Sequence, residues 1–156
     1  MRVRVLVLTV LAVLAVPSLA AARTGKSHPR DHRHAAAIVG TWSADVTPDQ
    51  GPALKAVLTF TRGGSVIETE SDAPGTGQGA WKRIGPNRFA FAFQTFIFTP
   101  TGDPAGRVVV RSVVTLANDT LSGPFKFDVL DPAGTPVPGE SGSGTATATR
   151  FVIPPL

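Results

Sequence analysis

The sequence predicts an all-β fold, an eight-stranded antiparallel up-and-down barrel, with a β-sandwich as the alternative. Three observations carry that prediction. From Ala37 onward no segment keeps a helical period, whereas apolar and polar residues alternate in run after run. Gly, Pro, Asn and Asp separate those runs at hairpin distances, with no long crossover between them. Eight such runs fill residues 37–153, and closing them on one another removes the exposed edges that an open sheet would carry.

The first run sets Ile38, Gly40, Trp42, Ala44 and Val46 against Val39, Thr41, Ser43 and Asp45. The second sets Leu54, Ala56, Leu58 and Phe60 against Lys55, Val57 and Thr59, and Gly63-Gly64 turns it into a third run at 65–71. Pro74-Gly75 precedes a fourth through Trp81 to Ile84, and Gly85-Pro86-Asn87 turns into the fifth at 88–98. That fifth run is apolar on both faces, with Phe89, Phe91 and Phe93 on one and Ala90, Ala92, Phe96 and Phe98 on the other. A bulge near Gln94-Thr95 that swings Phe96 and Phe98 inward is the expectation, ahead of a covering loop or a homodimer contact. After a loop from Pro100 to Gly106, the sixth run at 107–117 aligns Val108, Val110, Val114 and Leu116. Asn118-Asp119 turns into the seventh at 121–130, with Leu121, Phe125, Phe127 and Val129 inward and Ser122, Lys126 and Asp128 outward. Residues 132–144 read as loop or broken edge, and 145–152 closes the chain.

Closure requires the first and last runs to lie side by side. Gly40-Thr41-Trp42 opens the first, and Arg150 sits in the last. This G-x-W with a late Arg resembles the lipocalin and wider calycin pattern. Phe60-x3-Gly64, Gly79-Ala80-Trp81 and Asp119-Thr-Leu-Ser-Gly123 are similar to segments of small secreted lipocalin-like proteins. The resemblance implies that Arg150 packs across Trp42 to close the base of a barrel, with Gly40 beside them, and that the barrel carries a small ligand. The chain departs from it in having no Cys for a disulfide and no helix after the last run. Two Trp and no Tyr also argue against the biotin site of barrels that begin with G-T-W.

The ends of the chain carry an address. Arg2 and Arg4 precede an apolar stretch from Val5 to Val16, and Ala20-Ala21-Ala22 supplies a cleavage pattern, so residues 1–22 read as a secretory signal. The stretch falls short of the roughly 20 apolar residues a membrane-spanning helix needs. The expectation is a secreted protein with no stable membrane insertion. Residues 23–36 form a basic tail holding His28, His32 and His34. Their spacing makes them the one metal-ligand candidate, set against the favoured reading as a hydrated spacer. Residues 37–156, the barrel domain, hold nine Lys/Arg against ten Asp/Glu, without the basic face a nucleic-acid binder presents.

Catalytic readings meet an absence. Residues 37–156 contain no His, Cys or Tyr, hence no imidazole base, thiol nucleophile or phenolic acid, and no cofactor motif. Glu68 and Glu70 share one strand face, and the cost of burying unpaired charge assigns them to a solvated outer face. The glycines at 75–79 and 139–144 read as turns, bulges or rims rather than phosphate cradles, since no helix follows. The leading expectation is therefore non-catalytic binding of a small apolar molecule inside the barrel. Alternation names Trp81, Phe89, Phe91, Phe93, Val108, Val110, Phe125 and Phe127 as its lining. Two alternatives stand beside it: a lipid-type isomerase or cyclase similar to allene oxide cyclase, which an inward Glu68 or Glu70 would favour, and a barrel plugged by its own Phe rings.

Overall fold

In the computed structural model, residues 37–72 and 75–155 are described. The expected leader and the tail with His28, His32 and His34 lie outside them. Eight strands close into one up-and-down antiparallel barrel: β1 Gly40–Pro48, β2 Leu54–Phe60, β3 Ser65–Glu70, β4 Thr76–Gly85, β5 Arg88–Phe98, β6 Pro104–Ala117, β7 Thr120–Leu130 and β8 Gly142–Arg150. Strand β1 pairs with β8 from Trp42↔Arg150 to Pro48↔Gly144, which closes the sheet and excludes a sandwich.

Hairpin connectivity sends successive loops to opposite ends. Connections 61–64, 86–87 and 118–119 lie at one end, the base; 49–53, the described residues of 71–75, 99–103 and 131–141 lie at the other, the mouth. Asn118 and Asp119 both take positive φ, 49° and 57°, the two-residue geometry that matches the twist of paired strands. The β6–β7 ladder skips Val113 and Val114. They face the Gly123-Pro124 stretch, where proline has no N–H to give, and Ser112 Oγ donates to the Pro124 carbonyl at 2.9 Å.

The core is concentrated at the base. Ile38, Trp42, Phe60, Val66 and Phe89 are fully enclosed, with Val114 and Leu121 beside them. Trp42 Nε1 donates to the Ile38 carbonyl at 2.8 Å, so the indole's polar atom is satisfied without leaving the apolar layer.

Three sequence expectations need correction. The β5–β6 register runs unbroken from Arg88 to Ile97, and its irregularity falls at Ile97/Phe98 rather than at Gln94-Thr95. Phe96 and Phe98 therefore stay on the outer face, 59% and 57% exposed. The break sits at the rim because Pro104 cannot donate to the ladder and Gly106 has φ 144°, a conformation suited to a bulge. The glycines expected in turns, Gly77, Gly79, Gly142 and Gly144, lie within strands β4 and β8. The third correction is Glu68, which is 2% exposed and faces inward.

Candidate ligand cavity

The inner face is divided by what its side chains meet. At the base, Arg150 stands over the Trp42 indole with its guanidinium carbon 4.4 Å from the ring centroid. Arg150 also donates to the carbonyls of Val39, at 3.2 Å, and Ala37, and its Nε lies 3.3 Å from Asp119 Oδ1. A side chain at Gly40 would bring a Cβ to 3.1 Å from Arg150 Nη1, and Gly40 has φ 133°, so glycine suits this position on both counts. The G-x-W spacing thus lets the Arg reach past the strand start to cap the indole.

Trp81 and Phe89 belong to this base layer. The Trp81 ring meets Phe60 and Phe89 edge-on at 6.2 and 6.0 Å between centroids, and its Nε1 donates to the Thr61 carbonyl at 2.9 Å. Neither residue borders the open part of the lumen.

Above the base the lumen holds a cavity of about 330 Å³, bordered by Phe91, Phe93, Val108, Val110, Phe125 and Phe127 among others. A barrel of eight strands has room for either side chains or one small ligand. Here glycines on the neighbouring strands decide which. Phe125 pairs across the ladder with Gly144 and Phe127 with Gly142. A Cβ on Gly142 would lie 2.6 Å from the Phe127 ring, and one on Gly144 2.7 Å from that of Phe125. The rings therefore lie back against bare strand instead of crossing the lumen. They stack on each other at 6.5 Å and 25°, as Phe91 and Phe93 do at 6.4 Å and 9°. A lumen expected from alternation to be lined by aromatic rings is lined by them without being filled.

One wall is not apolar. Glu68, Glu70 and Asp72 all border the cavity, on alternate residues of β3 and its extension. Their exposure rises in that order, from buried through half-buried to exposed, so a ladder of carboxyls leads from the interior to the mouth. Both Glu68 Oε2 and the Phe93 ring edge occupy the space a Cβ at Gly77 would take, 2.8 and 2.7 Å from it. Glu68 Oε1 is buried without a hydrogen-bond partner. Burial, and after it the repulsion and hydrogen bond of Glu70, push the Glu68 carboxyl up to about 8. Glu70 is raised too, by burial first and then by Asp72. At neutral pH the deepest polar group in the cavity is thus an acid holding its proton.

The cost of burying a charge places Glu68 outward in sequence alone, and the strand register overrides it. The ladder partner Leu58 is inward by the alternation of β2, and cross-strand partners share a face. Among the described residues no group of three or more His, Asp or Glu is placed to hold a metal ion.

No family model and no curated protein matches the chain. Among solved structures it is similar to EF1p2_mFAP2b bound to DFHBI, with 18% identity and a TM-score of 0.58 over 78% of this chain and 99% of that one. It is also similar to a redesigned β barrel, b11L5F_LGL, with 22% identity and a TM-score of 0.47 over 77% and 96% of the two chains. The first likeness extends to the barrel fold.

Proposed function

We propose that this protein is a secreted, non-catalytic binder of a small apolar molecule, held between the packed base and the open mouth of its barrel. The observation that carries the reading is the cavity of about 330 Å³ bordered by Phe91, Phe93, Phe125 and Phe127, the last two laid back on Gly144 and Gly142. Its volume falls in the range of small-molecule sites, and its lining is apolar with a few placed polar groups, as such sites require. A barrel of the same fold, EF1p2_mFAP2b, was solved bound to DFHBI, which lends support by analogy of fold. Export rests on the leader pattern at residues 1–22, and kinship with lipocalins on Gly40, Trp42 and Arg150.

The test is native mass spectrometry of protein purified from its own host, followed by organic extraction. The reading expects an additional small-molecule mass that extraction removes. An empty protein whose thermal midpoint ignores neutral apolar probes would contradict it.

A second reading, a lipid-type isomerase or cyclase, is favoured by one observation: Glu68 lies inside the cavity and changes charge near neutral pH, as a general acid or base does. Incubation of the extracted molecule with emptied protein separates the two. A changed product selects the enzyme, and recovery of the same compound selects the binder.

A further inference from the structure

We propose that the cavity selects apolar molecules bearing a protonated amine, and that the Glu68 carboxylate receives the ammonium group. The inference rests on the binding reading above and adds the chemical class of the ligand. The geometry supplies a buried carboxyl that shares a hydrogen bond with Glu70 and whose other oxygen, Oε1, has no partner among the described residues. Glu68 is 2% exposed, borders the cavity, and leaves Oε1 without a partner. A buried polar atom without a partner destabilises a fold, and an ammonium N–H removes that cost on binding.

Among the described residues, the surroundings of Glu68 offer no competing cation. From β2 the inward residues are Leu54, Ala56 and Leu58, while Lys55 points outward and pairs with Asp45. From β4, Gly77 and Gly79 lie nearest, and Arg83 lies toward the base six residues beyond the ladder partner Gly77. From β5 the neighbours are Phe91, Phe93 and the buried Thr95. On β3 itself Glu70 and Asp72 add negative charge. Among the described residues no Lys or Arg borders the cavity. An anionic ligand would meet three carboxyls and no counter-charge. A cationic one meets carboxyls at successive depths and the aromatic faces of Phe91 and Phe93, which also attract cations.

The loops at the mouth repeat the preference. Connections 49–53, 71–75, 99–103 and 131–141 carry Asp49, Asp72, Asp103, Asp131 and Glu140 and no Lys or Arg, although Arg107 reaches Gly134 of the last from the outer face of β6, so acidic groups outnumber cations there. A cleft rimmed mostly by one sign of charge concentrates the opposite sign at its opening. An ammonium arriving at Glu68 also favours the ionised carboxyl, so it releases the proton that burial otherwise holds there.

The experiment titrates the full-length protein with three probes of one ring body: 1-naphthylmethylamine, 1-naphthalenemethanol and 1-naphthoic acid. The amine is expected to bind about tenfold or more tighter than the alcohol, the gain of a charge-assisted hydrogen bond, and the acid weakest of the three. Glu68→Gln, checked for folding by circular dichroism, is expected to bring the amine down to the affinity of the alcohol. Alcohol and amine binding within twofold of each other, or an acid that binds tightest, overturns the amine preference and leaves the cavity reading intact. An amine preference that survives Glu68→Gln overturns the role of Glu68. Failure of all three probes overturns the cavity reading, and the inference with it.

Discussion

The two ends of this barrel are built from the same strands and put to opposite uses. At the base, inward side chains are large, interlocked and satisfied: Trp42 donates to Ile38, Trp81 to Thr61, and Arg150 closes over the indole. Toward the mouth, inward side chains include Phe93, Phe125 and Phe127 laid on glycine, followed by carboxyls with no cation bordering them among the described residues. The difference lies in what each ring packs against. Phe60 and Phe89 pack edge-on against the Trp81 ring and fill the lumen, whereas Phe125 and Phe127 lie on Gly144 and Gly142 across the ladder and leave it open. Stability is concentrated at one end so that the other can hold an apolar space and a buried acid.

That division is broken most directly at Trp42. Trp42→Ala removes a fully buried indole and the surface on which Arg150 rests, and is expected to lower unfolding free energy by about 3–5 kcal/mol in urea denaturation. A loss below about 1 kcal/mol would mean that the base does not carry the fold.

Glu68 probes the mouth by pH. Its carboxyl titrates at about 8 in the folded chain, above the ordinary 4.5, so the folded state holds the proton more tightly than the unfolded state. The stabilising contribution of the neutral acid is complete below about pH 4.5 and is lost as pH rises toward and through 8. Glu68→Gln removes that loss. Between pH 5 and pH 9 the unfolding free energy of the natural chain is expected to drop by on the order of 2–4 kcal/mol more than that of the variant. Parallel profiles would place Glu68 in water.

Arg150→Met keeps an apolar contact with the indole but removes the charge and its hydrogen bonds to the Ala37 and Val39 carbonyls. A loss of about 1–3 kcal/mol is expected, with ligand affinity unchanged because the base does not border the cavity. Gly142→Ala acts at the other end. Its Cβ would press the Phe127 ring into the lumen, so the affinity for a neutral apolar probe should fall severalfold while stability moves by less than about 1 kcal/mol. Phe96→Gln lies on the outer face and should change stability least, within about 0.5 kcal/mol.

Much of the fold was legible because alternation and turn residues are local signals. The strand order, the inward faces of β6 and β7, and the side-by-side placement of the Trp42 and Arg150 strands follow from them. Phe96 and Phe98 were harder. Period-two patterning gives a face but cannot say where a bulge resets it, and that position was set by Pro104 and Gly106 on the partner strand. The cavity was half legible: Phe91, Phe93, Phe125 and Phe127 come from alternation, but whether they fill or line the lumen depends on glycines that read as turns when taken alone. Glu68 was hidden because β3 carries one apolar residue on each face, Val66 inside and Ile67 outside, and only its pairing with β2 chooses between them.

The central claim is that the space between base and mouth takes a small apolar molecule. It is tested by nuclear Overhauser contacts between bound 1-naphthalenemethanol and ring protons of the isotope-labelled protein. Contacts to Phe91, Phe93, Phe125 and Phe127 with none to the Trp42 indole are the predicted pattern. Contacts confined to Phe96 and Phe98 on the outer wall, or none at all, would contradict it.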